Sequence, residues 1–86
     1  MKFLDQGKYE LRETALLVEA EHDGRTHVVE IDRNLLEDRY GVTATGEFHE
    51  YWDVVLQNRE ELQRAAEHRA QDGDNPVRIS MGDLSG

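Results

Sequence analysis

The sequence contains no cysteine, so no disulfide, thiolate zinc site or cysteine nucleophile can form, and stability has to come from packing. Its two serines, Ser80 and Ser85, lie near the C-terminus and outside any Gly-x-Ser-x-Gly elbow, which leaves serine hydrolysis unsupported. The glycines stand singly, so neither a Gly-x-Gly-x-x-Gly fingerprint nor a P-loop is there to cradle a phosphate. The longest aliphatic run, Ala15 to Val18, is far below the roughly 18 residues that span a bilayer. Lys2 meets Asp5 without a signal-peptide core. These absences point to a cytoplasmic protein that engages no membrane. Basic residues are also scarce, 10 against 19 acids for a net charge of -9, and that field repels phosphate backbones and argues against nucleic acid.

What is present suffices for one small domain over residues 1–86, since a chain this short cannot divide its core between two units. The clearest local unit runs from Ala15 to Ile31, two apolar runs flanking Asp23-Gly24, the dipeptide that suits a type I′ hairpin turn. Those two loop residues set His22 opposite Arg25, Ala20 opposite His27, Val18 opposite Val29 and Leu16 opposite Ile31. One face of the ribbon is then aliphatic, while Leu17, Glu19, Val28 and Glu30 occupy a more polar face. Before it, Lys2 to Leu4 and Tyr9 to Leu11 are candidates for another short strand.

Asp32 is placed to cap a short helix with a Leu35, Leu36 and Tyr40 stripe, ended by Gly41. From Glu47 to Gln71 there is neither Pro nor Gly, and good helix formers dominate. The expectation is one long helix capped by Thr45, with Phe48, Trp52, Val55, Leu62 and Ala66 as its apolar stripe and Asn58-Arg59 interrupting it. Asp72 to Pro76 stops that helix. Val77 to Met81 reads as a closing strand, and residues 82–86 as a frayed tail. The fold class is therefore α+β: an antiparallel sheet of three to four strands, with one short and one long helix packed on one face.

Candidate chemistry is thin. His49-Glu50-Tyr51-Trp52-Asp53 has Asp where a helical His-Glu-x-x-His zinc motif needs its second His, and His22, His27 and His68 have no spacing that supplies a further ligand. No metal site and no cofactor are expected. The carboxylate pairs Glu10 with Glu13, Glu37 with Asp38, and Glu60 with Glu61 read as solvated charge. Arg59, within the stripe, must reach solvent or a carboxylate, and Glu30, Asp32 or a strand end would make it a clamp.

The Asp-Gly hairpin, the stretch Ile31-Asp32-Arg33-Asn34-Leu35-Leu36-Glu37-Asp38-Arg39-Tyr40-Gly41, then Asn58-Arg59, Leu62, Ala65-Ala66 and Val77 to Leu84 follow one another in a familiar order. In that order and spacing the chain resembles the YrdB-like small bacterial proteins, a family known as a domain of unknown function. Asp32 stands where those proteins carry a Ser cap, and Val42 to Val55 is longer than theirs. The resemblance implies an α+β fold and no established activity. Some relatives are associated with regulation of the shikimate pathway, so a transcription-linked regulator is one implied alternative.

The expected function is that of a non-catalytic interaction or regulatory module, working with an unknown protein partner or by self-association. Tyr51, Trp52, Leu56, His27 and Arg59 are its candidate contacts. The alternative is a small-molecule or enzymatic site at a dimer interface around His27 and Arg59.

Overall fold

Asp23 and Gly24 take φ of 53° and 76°, the pair of left-handed residues a type I′ turn demands. The computed structural model of the protein describes residues 2–4, 10–43, 47–73 and 76–84. The strands are β1 (Lys2–Phe3), β2 (Glu10–Leu11), β3 (Ala15–His22), β4 (Arg25–Asp32) and β5 (Val77–Ile79). The turn joins β3 to β4 in the expected register, from His22 opposite Arg25 to Leu16 opposite Ile31. Leu16, Val18, Val29 and Ile31 are fully buried, whereas Val28, on the reverse face, is 43% exposed. A one-residue slip would exchange these sets, so burial fixes the pairing.

The sheet runs β1-β3-β4-β5, with β2 also pairing β3 beside β1. It is mixed, which corrects the antiparallel expectation: β5 lies parallel to β4, with Val29 opposite Val77 and Ile31 opposite Ile79. The cause is the connection. Parallel neighbours need a crossover of a dozen residues or more, and the helical segment between β4 and β5 supplies it.

That segment holds α1 (Arg33–Tyr40), α2 (Phe48–Gln57) and α3 (Arg59–Gln71). In α1, Leu35 and Leu36 are buried, and the chain leaves through Gly41 at φ 79°. The Gly41 and Val42 N–H groups close on the Glu37 and Leu36 carbonyls in a Schellman-like ending. Asp32 sits at the N-cap but its side chain makes no cap bond; its Oδ1 accepts instead from Arg78 Nε at 3.4 Å.

The expected single long helix is two helices. Asn58, at φ -116° and ψ 23°, ends α2 and opens α3, and its side-chain amide donates to the Val54 carbonyl at 2.9 Å. Dimensions explain the break. A straight helix from 47 to 71 would be about 37 Å long, more than the protein's longest extent of 34 Å. Turning at Asn58 lets α2 lie against α1 and α3 against β5 and β1. Glu47 caps α2 in a capping box with Glu50; Thr45, expected as that cap, lies outside the described residues.

The core joins Leu16, Val18, Val29, Ile31, Val77 and Ile79 from the sheet with Leu35, Leu36, Tyr51, Val55, Leu62 and Ala66 from the helices. Phe48 and Trp52, expected in the buried stripe, pack only partly against it. Gly82, where fraying was expected to begin, belongs to a closing 3-10 turn, Met81–Leu84, whose Leu84 is 7% exposed. Asp83 holds that turn by accepting from Ser80 N at 2.8 Å and from Arg69 Nε at 2.7 Å.

Candidate functional site

Tyr51, a candidate contact by sequence, has no exposed surface. Counting back from Val55 by one helical turn explains this, since Tyr51 and Val55 share the face that meets the core and Trp52 is rotated to its edge. The Tyr51 hydroxyl accepts from Arg33 Nη2 at 2.8 Å and donates to Glu37 Oε2 at 2.8 Å, with the Thr43 carbonyl at 3.2 Å. The Arg33 guanidinium stands 5.0 Å from the ring centroid and reaches the Arg12 and Glu13 carbonyls. This polar cluster ties α1 to α2 and to the turn before β3. It is an anchor, and Glu37, which the sequence placed in solvent, is part of it. Burial pushes the Tyr51 phenol above its usual value; the Arg33 hydrogen bond opposes the shift and Glu37 adds to it.

Trp52 and Leu56 are half-buried. The Trp52 ring stacks on Phe48 with centroids 6.4 Å apart, and Leu56 follows one turn later on the same ridge of α2. His27 sits half-buried at the turn end of the hairpin beside His22, with ring centroids 6.2 Å apart.

Arg59 is elsewhere. It occupies the first turn of α3 and lines an open groove of about 860 Å³ together with Arg39, Glu61, Arg64 and Leu84. His27 does not line that groove, so within one protomer the two side chains do not converge on it. The Arg59 clamp is also not formed: Arg59 is exposed, and Asp32 is engaged by Arg78. Across the groove Arg39 is ion-paired with Glu61, and Asp83 with Arg69. Burial raises the Asp83 carboxyl, but the Ser80 backbone N–H, the Arg69 guanidinium and the Ser80 hydroxyl outweigh it and hold the group below its ordinary range. Arg59 and Arg64 have no ion-pair partner among the described residues.

The surface that sequence reasoning did not single out is the reverse face of the sheet. Alternation along each strand puts Leu17, Glu19, Glu21, Val28, Glu30 and Asp32 there. Neighbouring strands add Lys2 opposite Glu21, Glu10 opposite Leu17 and Arg78 opposite Glu30. Leu17 and Val28 are diagonal neighbours at its centre, close enough for their side chains to meet. Five carboxylates and two cations surround them. Glu21 and Glu30 have no ion pair among the described residues. The signal is present in the alternation, which marks this as the more polar face of the ribbon.

Among the described residues no group of three or more His, Asp or Glu side chains is arranged to hold a metal ion. His49, from the His-Glu string, is exposed and lies 3.5 Å from Glu47. No described helix is long and apolar enough to cross a membrane. Compared with family models, with curated proteins and with solved structures, the chain matches none.

Proposed function

We propose that the protein is a non-catalytic interaction module whose working surface is the open face of the sheet. The observation that carries this reading is the position of Val28, 43% exposed beside Leu17 at the centre of a face that no described helix covers. An apolar centre rimmed by charge has the layout of a protein contact. Self-association through this face is disfavoured, because it would bring two acidic surfaces together. The test is site-specific photocrosslinking in the cells that make the protein, with the crosslinker at Val28, Leu56 or Arg64. Discrete adducts from Val28 support the reading; adducts from Leu56 or Arg64 alone overturn it.

A second reading is favoured by the groove at Arg59. Its volume of about 860 Å³ falls in the size range of small-molecule sites, and Arg59 with Arg64 offers two guanidiniums to a carboxylate or phosphate. Inorganic pyrophosphate that raises the melting temperature of the protein, but not of an Arg59→Ala, Arg64→Ala variant, supports this second use.

A further inference from the structure

We infer that the occupant of the open sheet face is a short, extended, basic segment of a partner protein, with cationic and apolar side chains taking turns along the one side that meets the sheet. The inference rests on that face being the working surface, and it adds the partner's chemistry.

Charge comes first. Glu10, Glu19, Glu21, Glu30 and Asp32 outnumber Lys2 and Arg78 on the face, in a chain whose net charge is -9. Local and overall fields have the same sign, so both attract cations and steer them to the same surface. Arg78 is opposite Glu30 and donates to Asp32, which weights the remaining negative charge toward Glu21 at the turn end of the hairpin.

Size comes second. Strands β3 and β4 have eight residues each, which makes the face roughly 27 Å by 14 Å, at most on the order of 400 Å². A standard stable interface takes about 800 Å² from each partner. The face is too small to hold a folded domain tightly and suits a single extended segment. An extended segment also fits the pattern. Its side chains alternate at about 6.8 Å along one side, the spacing at which Glu21, Glu19 and Leu17 alternate on β3. Apolar side chains can then cover Leu17 and Val28 while cationic ones meet Glu21 and Glu30.

The test uses the intact chain and labelled peptides of about ten residues, long enough to run the face: a Lys-Val peptide of repeating Lys-Ser-Val-Ser, which sets Lys and Val in turn along one side, and a Glu-Val peptide of repeating Glu-Ser-Val-Ser. Fluorescence anisotropy should show the Lys-Val peptide binding, with affinity falling at least ~10-fold between about 0.05 M and 0.5 M salt. Glu21→Gln with Glu30→Gln should weaken binding several-fold at low salt only. Val28→Ser should weaken it at both salt concentrations, and Arg64→Ala should leave it unchanged, with thermal melts confirming that every variant is folded. Equal binding of the two peptides, or no effect of the Glu21 and Glu30 changes, overturns the inference. If Val28 crosslinks partners in cells while the Lys-Val peptide fails to bind, the basic-segment inference falls and the working surface stands. If Val28 captures nothing and the peptide does not bind, both fall.

Discussion

Tyr51 donates its hydroxyl to Glu37 Oε2 at 2.8 Å from within the core, and so joins α2 to α1. Arg33 Nη2 donates to the Tyr51 hydroxyl oxygen at 2.8 Å. Tyr51→Phe keeps the ring but leaves a mostly buried guanidinium and carboxylate without this partner, which should cost about 1–3 kcal/mol. Tyr51→Ala also opens a cavity and should cost more, about 3–5 kcal/mol. Urea unfolding monitored by circular dichroism measures both.

The same burial predicts an alkaline response. Burial first, then Glu37, raises the folded-state value of Tyr51 above its ordinary 10.0. A group whose folded value is raised contributes stability that is complete below the unfolded value and is lost as pH rises through the folded one. Tyr51 should therefore ionise after an unfolded tyrosine does, with stability falling over the same interval. Phenolate absorbance followed alongside circular dichroism checks this, and Tyr51→Phe should remove one late-titrating phenol. Burial also raises Tyr40, as does its neighbour Glu61, so at least one late phenol should remain.

How much of this was legible in the sequence depended on how local each signal was. The pairing of Val18 with Val29 followed from an Asp-Gly turn and strict alternation, both short-range, and Gly41 marked the end of α1 for the same reason. The break at Asn58 was different. It shows in the sequence as a polar gap in a stripe, whereas its cause is global, a helix longer than the body that must hold it. The parallel placement of β5 likewise depends on where three helices return the chain. Arg33 and Tyr51 meet across eighteen positions, and nothing in their local patterns announces it. Reading Tyr51, Trp52 and Leu56 as one contact patch erred by a single helical step, enough to put Tyr51 in the core. The open sheet face was legible as residues and not as a surface, because a ribbon's polar side is bare only when every helix chooses the other side.

That asymmetry is measurable in adjacent residues. Val28 and Val29 are neighbours on β4, one 43% exposed and the other fully buried. Val28→Ser should change stability by no more than about 0.5 kcal/mol, as surface substitutions do. Val29→Ala removes buried methyl groups opposite Val18 and should cost on the order of 1–3 kcal/mol, part of it from the space left behind. Equal costs at the two positions, measured by urea unfolding, would mean that the reverse face is covered.

Asp83 gives the acid side of the stability profile. Its carboxylate accepts from Ser80 N at 2.8 Å, Ser80 Oγ at 3.2 Å and Arg69 Nε at 2.7 Å, and it thereby ties the closing turn to α3. These bonds favour the charged form enough to overcome burial, so the folded-state value lies below the ordinary 3.8. A carboxyl with a depressed folded value contributes stability that is complete above the unfolded value and is lost as pH falls through the folded one. The protein should accordingly keep this contribution at neutral pH and lose it only below about pH 4. Asp83→Asn keeps the shape but removes the charge, which should cost about 1–3 kcal/mol at neutral pH and flatten the part of the acid profile that this carboxyl supplies. Melting temperatures of both proteins from pH 7 down to pH 3 make the comparison. If the two curves stay parallel throughout, Asp83 does not titrate with folding, and the bond to Arg69 is a surface contact that contributes little to holding Leu84 in the core.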